Sequence, residues 1–324
     1  MPVTNRTVRA SDGELRLDRW FHRYFPLLTQ GALQKMLRSG QIRVDGKRVE
    51  ANTRILPGQV VRVPPMPEGQ APLAEPKPVD PREASAIERL VIYRDDSIIA
   101  IDKPQGLPVQ GGPGIAKHLD GMLDALRFGN EDRPRLVHRL DRDTTGVMVL
   151  ARTPAAASKL AAAFRGRDTQ KTYWAIVVGR PHPREGRISM PLSKQAGAHG
   201  ERVFASDAKD AAHAVTLYRT IDTAQKQAAW LELTPLTGRT HQLRVHCATA
   251  LNCPILGDGK YGGAAAHPDG FGDRTLHLHA RALRLPHPEG GFVELAAPLP
   301  AHMKDTFTFL GFDKPRTPAC KRVR

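Results

Sequence analysis

Seven prolines fall in the eighteen residues from Pro64 to Pro81, and Met66, Leu73 and Val79 are the only large apolar side chains among them. Such a stretch cannot bury a core, and its fixed φ angles and missing N–H donors suit an extended spacer better than a helix or sheet. It divides the chain into a segment at 1–63, a linker at 64–86, a body at 87–312 and a basic tail at 313–324. The body is long enough for one sizeable hydrophobic core. No internal repeat is visible.

The first segment reads as a small unit of its own. Leu17, Trp20, Phe21 and Tyr24 recur at helical spacing. A second helix is expected after Thr29 as N-cap, ending at Gly40, with Leu33, Met36 and Leu37 inward and Gln34, Lys35 and Arg38 outward. QIRVDGKRV then alternates apolar and polar residues around Asp45-Gly46, a signal for a tight hairpin. Up to Val63 there are twelve Lys and Arg against five Asp and Glu. The whole chain carries 48 Lys and Arg against 33 Asp and Glu, a formal charge of +15, so the expected partner is a polyanion, with nucleic acid first. Lys35 and Arg38 are candidate phosphate contacts, since phosphates ask for positive charge and little else.

Other features narrow the setting. Cys247, Cys253 and Cys320 are an odd number without a CxxC pair, which suits reduced thiols rather than a disulfide framework. The N-terminus lacks the apolar core of a signal peptide, and no run approaches the ~18 apolar residues of a membrane span. A cytoplasmic protein with no membrane partner is expected.

The body alternates short strand-like runs with helical ones. VIYRDDSIIAIDKP gives two strands around a polar turn. VMVLARTP and KTYWAIVVG are strands flanking a helix, PAAASKLAAAFRGR. AAWLELTPLTG, HQLRVHCATAL, LHLHARALRLPHP and FVELAAP read as further strands. Short successive strands favour an α+β body with a mixed, largely antiparallel sheet and flanking helices.

Four clusters carry candidate chemistry. LVHRLDRDTTGVMVLA packs two arginines and two aspartates into five residues between strand-like runs. Such charges are costly wherever water is excluded unless they pair, so the loop belongs at a sheet edge, as a site or as a surface salt-bridge turn. QKTYWAIVVGRP places Tyr173 inside a strand, where tyrosine is more often core than catalytic. PLTGRTHQLRVHCATALNCPILGDGKYGG puts Gln242, Arg244 and His246 on one face of an expected strand, with Leu243 and Val245 on the other. In IDKPQGLPV, Lys103 precedes a proline-containing turn. Paired His and Asp residues (His138 with Asp141 and Asp143, His241 with His246, His277 with His279) also raise a metal-dependent hydrolase, but no complete ligand-spaced motif emerges.

Together and in this order, these clusters resemble the RluA/RluC/RluD family of RNA pseudouridine synthases over residues 89 to about 311. HRLDRDTTG matches the family's HRLDxxTSG signature with Thr145 in place of Ser; KTYWAIVVG, GRTHQLRVH and KPQG match the other elements. LVHRLDRDTTG and the upstream GGPG look most like the RluC branch, although Gln110 stands where that branch has His. Residues 14–63 resemble the αL-motif RNA-binding domain of small-subunit ribosomal protein S4. The segment QAGAHGERVFASDAKDAAHAV departs more than the rest.

The resemblance implies that specific uridines, of 23S ribosomal RNA or a pre-50S particle, are isomerised to pseudouridine by an intramolecular transfer. No redox change or group loss occurs, so no cofactor and no metal are expected. Asp141 would be the essential carboxylate, and Arg244 the cation paired with it. Tyr173 would stack on the flipped base and assist at the carbon 5 proton. Arg139 would fill the place of the extruded uridine. Lys103, Arg239, His241 and Gln242 are further candidate substrate contacts, whereas Asp143 is expected in a local ion pair. A monomer is expected. A non-catalytic RNA-binding assembly factor is the rival reading, and its mark would be a broken Asp/Tyr/Arg set.

Overall fold

The computed structural model describes residues 3–9, 12–25, 28–65 and 80–323, apart from 113, 167, 198–199, 207, 209–210, 272–273 and 314. Most of the expected linker, 66–79, lies outside the described residues. The chain forms two compact units, 1–78 and 79–324.

In the first unit, the helix Leu17–Tyr24 buries Leu17, Trp20 and Phe21, the stripe read from spacing. In the helix Gln30–Arg38, Thr29 Oγ1 accepts the Ala32 N–H at 3.3 Å. Leu33 and Leu37 point inward while Lys35 and Arg38 stand exposed. Thr4–Thr7, Val60–Val63 and Arg43–Val44 form a small antiparallel sheet in that spatial order. The Asp45-Gly46 turn is tight, with both residues at positive φ (49° and 76°), as the Asp-Gly pair suggests. Its outgoing arm leaves after a single Val44–Lys47 bridge, so the hairpin is shorter than its alternating sequence implies.

The second unit is built on an eleven-stranded sheet. Across it run Glu185–Ser189, Val215–Ala224, Ala228–Pro235, Gln170–Val178, Leu278–Pro286, Thr145–Ala151, Ile98–Lys103 and Val91–Arg94. Among the described residues every pairing is antiparallel except one parallel seam, where Thr145 and Gly146 lie beside His279 and Ala280. At the seam Gly146 has φ +109°, and a Cβ there would fall on the Ala280 carbonyl, which explains the glycine that ends the HRLDRDTTG run. All seven residues of Thr145–Ala151 are buried, and the helix Pro154–Arg165, capped by Thr153 Oγ1 on the Ala156 N–H (3.1 Å), contacts that strand. The sheet is mixed and largely antiparallel.

Two expectations are corrected. Residues 81–86, expected as linker, belong to the helix Pro81–Glu88: Asp80 caps it by accepting the Arg82 N–H at 2.7 Å, Pro81 occupies its first turn and Ile87 is fully buried in the core. A proline at a helix start has no hydrogen bond to lose. The basic tail ends in a strand: Lys321–Val323 pairs antiparallel with Phe292–Ala296, and Arg281 donates to the Arg316 carbonyl and the Thr317 hydroxyl. Finally, HQLRVHCATAL is helical, with an α-turn at Gln242–Val245 running into a π-turn at His246–Ala250.

Candidate active site

The HRLDRDTTG loop enters from the short strand Arg135–Leu136 and leaves along Thr145–Ala151, which pairs with that strand and lies inside the sheet between Leu278–Pro286 and Ile98–Lys103. It is held at several points. His138 Nε2 accepts the Val149 N–H at 2.9 Å, and its ring stacks on Phe164 with centroids 4.2 Å apart. Burial pushes this imidazole down to about 3, so it is a neutral anchor. Leu140 is buried, and Thr145 Oγ1 bonds His279 Nδ1 across the parallel seam at 2.9 Å, so threonine preserves the hydroxyl of the signature serine.

Lys103 supplies another hold and departs from expectation. It is fully buried, and its ammonium donates to the carbonyls of Pro104 (2.8 Å), Leu107 (3.1 Å) and Arg142 (2.8 Å). Burial lowers it to about 8, against the pull of Asp143, Asp141 and Asp102. All three donors are committed to backbone carbonyls, so the ammonium ties the turn after Lys103 to the loop beside Asp141.

What these holds leave accessible is the chemistry-bearing tip. The Asp141 side chain is 22% exposed, and among the described residues no hydrogen bond ends on its carboxylate. His241 Nε2 lies 4.0 Å from Asp141 Oδ2. Arg139 is exposed, and Asp143 has a loose ion pair with Arg142 at 3.9 Å, the local pairing expected of it. Tyr173 is partly buried in the strand Gln170–Val178, and burial, then the charge of Asp141, raise its hydroxyl well above the usual tyrosine value. At neutral pH it is therefore a neutral phenol, able to stack or to donate a hydrogen bond.

Arg244 is the main correction. Its guanidinium is paired not with Asp141 but with Asp258, two-pronged at 2.8 Å (Nε) and 2.6 Å (Nη2), and both side chains are nearly sealed from solvent. Burial alone would lower its pKa; Asp258, and more weakly Asp141, hold it above the ordinary arginine value. The reason lies in the local fold. Because 242–250 winds as a helix, Arg244 points at the Gly257–Gly259 turn, where Asp258 also accepts the N–H groups of Lys260 and Tyr261 at 3.2 Å.

Gln242 is likewise a brace. It is buried; its carbonyl accepts from Thr237 (2.7 Å) and the Arg239 N–H (3.1 Å), and its amide donates to the Val215 carbonyl (2.9 Å) and the Thr216 hydroxyl (3.0 Å). No capacity remains for substrate. Arg239 is exposed, with Nε on the His213 carbonyl at 3.2 Å, and stays available to an anion. Asp258 and Tyr261 are functional neighbours that sequence reasoning passed over, although both stand in the GDGKYGG run that closes the third cluster. His277, His279 and His246 each bond to core oxygens, and among the described residues no group of three His, Cys, Asp or Glu side chains could hold a metal ion.

Comparison with known proteins places these elements. Residues 97–249 match the family model described as RNA pseudouridylate synthase, and residues 15–61 that of the S4 domain. The chain is 34% identical to the mitochondrial RNA pseudouridine synthase 4 of Arabidopsis thaliana, over 94% of this chain and 80% of that protein. It is 35% identical to the ribosomal large subunit pseudouridine synthase C of Rickettsia bellii, over 89% of this chain and 95% of that one. The solved structure of human RNA pseudouridylate synthase domain containing 4 superposes with a TM-score of 0.59 at 32% identity, covering 72% of this chain and 97% of that chain.

Proposed function

The chain belongs to the RNA pseudouridine synthases and acts on RNA; on that premise we propose that it isomerises specific uridines of large-subunit ribosomal RNA, with Asp141 as the catalytic carboxylate and no cofactor. The observation that carries the site assignment is the contrast within the loop: Lys103, His138, Leu140 and Thr145 fix its frame, and Asp141 is left half-buried with its oxygens unclaimed. A carboxylate so placed can attack the anomeric carbon, attack the base, or take a sugar proton on a glycal route; on each the bond between base and ribose breaks and the uracil rejoins through carbon 5. Tyr173 offers its ring to the detached uracil. Arg139, exposed beside Asp141, takes the stack position of the flipped-out nucleotide. Arg239 contacts RNA phosphate beside the site, and Lys35 and Arg38 give the first unit phosphate contacts of its own. Arg244 acts from behind, through Asp258 and its field on Asp141.

The large-subunit part rests on the name of the Rickettsia relative, and the Arabidopsis relative of similar identity carries a mitochondrial one. A 23S or pre-50S substrate, a monomeric enzyme and a cytoplasmic setting complete the reading; no helix among the described residues is long and apolar enough to cross a membrane. The test is pseudouridine mapping of total RNA from cells with the gene, without it, and with Asp141→Asn. Sites lost from large-subunit RNA in both altered strains are expected. Loss confined to transfer RNA would overturn the substrate, and unchanged sites in the Asp141→Asn strain would overturn the residue.

A further inference from the structure

The side chains behind Asp141 form a chain that the proposed chemistry does not use. Tyr261 Oη lies 2.6 Å from His241 Nδ1 and accepts the Val203 N–H at 3.2 Å. A phenol has one proton to give, and among the described residues His241 Nδ1 is the acceptor it meets. The hydroxyl therefore donates to Nδ1, which leaves the imidazole proton on Nε2, the nitrogen 4.0 Å from Asp141 Oδ2. Burial lowers the His241 pKa although Asp141 opposes it, so the ring is a neutral donor near pH 7. Its backbone adds a second observation: His241 sits in the left-handed region at φ 52°, ψ 18°, a conformation unfavourable for a residue with a β-carbon and one that tends to persist at functional sites.

Val203 lies on the hairpin Leu192–Gly197/Gly200–Ala205, and the neighbouring Arg202 donates to the Lys260 carbonyl at 2.6 Å, so the hairpin holds the chain at Lys260 and at Tyr261 itself. From this geometry we infer that His241 is a positioning residue that orients the Asp141 carboxylate through its Nε2–H, that Tyr261 sets the required tautomer, and that the hairpin seats Tyr261. The inference rests on the reading of Asp141 as the catalytic carboxylate and reassigns His241 from substrate contact to support. At 4.0 Å the His241–Asp141 contact is longer than a hydrogen bond, so the role requires it to shorten when RNA binds, as catalytic hydrogen bonds commonly do in the substrate complex.

The test is a double-mutant cycle in the full-length enzyme with a uridine-containing RNA. Tyr261→Phe keeps the ring over Arg244 (5.1 Å) and removes only the hydroxyl, so kcat should fall about tenfold, the effect of one misplaced hydrogen bond, with KM unchanged. His241→Leu should lose more. His241→Gln, whose amide can offer an N–H near the Nε2 position without needing a tautomer, should recover most of that loss. In the His241→Gln background, Tyr261→Phe should cost nothing further. Imidazole nitrogen NMR should show His241 protonated on Nε2 in the parent enzyme, and a mixed tautomer in Tyr261→Phe. Equal losses in both backgrounds, or no loss in either, would overturn the inference, as would a ring protonated on Nδ1. Asp141→Asn, run alongside, separates the two readings: an inactive Asp141→Asn enzyme with an additive cycle defeats only the role of His241, whereas an active one defeats the catalytic assignment itself.

Discussion

Asp141 and Asp258 both contribute to the field at Arg244, yet the fold treats them in opposite ways. Asp258 is 1% exposed in its side chain, accepts two guanidinium bonds and two backbone N–H groups, and has little left to offer. Asp141 is 22% exposed, and among the described residues its carboxylate receives no hydrogen bond at all. A buried charge costs several kcal/mol unless fully satisfied, so the fold saturates the one it seals in. A charge meant for a passing substrate has to be held by its backbone and left unsaturated at its tip. Position near Arg244 alone would not tell these two aspartates apart; the hydrogen bonds around them do.

The largest expected effect tests this division directly. Asp141→Asn should cut turnover by on the order of 10⁴-fold, as loss of an essential catalytic group does, and leave thermal stability and RNA affinity almost unmoved. Asp143→Asn should remain active within a few-fold. Single-turnover assays beside melting curves check both, and an Asp141→Asn enzyme that melts much earlier would place Asp141 among the structural charges.

Next comes the sealed pair. Arg244→Met strands Asp258 and should destabilise by about 3–5 kcal/mol. Adding Asp258→Asn should restore much of that stability, whereas adding Asp141→Asn should not. Urea unfolding of the four proteins decides it; rescue by Asp141→Asn instead would mean that the Arg244–Asp258 pairing is not the one that stabilises the molecule.

A third charge sharpens the comparison through pH. Lys103 is fully buried with its pKa lowered from 10.5 to about 8, so the native state holds this proton more weakly than the unfolded chain does. Below pH 8 both states are protonated and the penalty is present in full. Between about 8 and 10.5 the unfolded chain binds more protons, so stability should rise with pH relative to Lys103→Met, by roughly 3 kcal/mol in all. Unfolding measured at pH 7, 8.5 and 10 gives the difference curve; a flat one would show that the ammonium carries no burial penalty.

The smallest effect concerns charges that the fold leaves exposed. A chain starting near residue 80, which keeps the Asp80 cap and buried Ile87, should fold and turn over RNA with weaker, less salt-dependent binding. Lys35→Ala/Arg38→Ala in the full chain should flatten the log–log salt slope by roughly 0.7–0.9 for each phosphate no longer neutralised. Identical slopes in all three proteins would leave that basic helix a merely solvated face.

Sequence alone revealed the parts whose physics is local or whose motif is dense. The stripe Leu17, Trp20, Phe21 is amphipathic helix and packs as one; the Asp-Gly turn, the helix after Thr153 and the loop around Asp141 fall where their residues suggest. HQLRVHCATAL misled for a definite reason. Its polar–apolar alternation reads as a strand on the assumption that polar residues face water, but Gln242, Arg244 and His246 are all buried and meet internal partners, so the alternation carries no information about a wet face. The partner of Arg244 and the carbonyl cage of Lys103 were out of reach for a related reason: both depend on which turns of distant segments meet, and spacing does not encode that.

The parallel seam has a consequence for how the enzyme comes into being. Thr145 and His279, joined there by a hydrogen bond, are 134 residues apart in the chain, and loop closure on that scale makes such contacts slow to form. During synthesis the first unit, complete by Pro78, can fold and engage RNA while the strand Leu278–Pro286 has yet to be made. The Asp141 loop, whose exit strand already pairs with Ile98–Lys103, then still lacks the His279 partner of Thr145. A nascent molecule can thus engage RNA before the seam beside the Asp141 loop has closed.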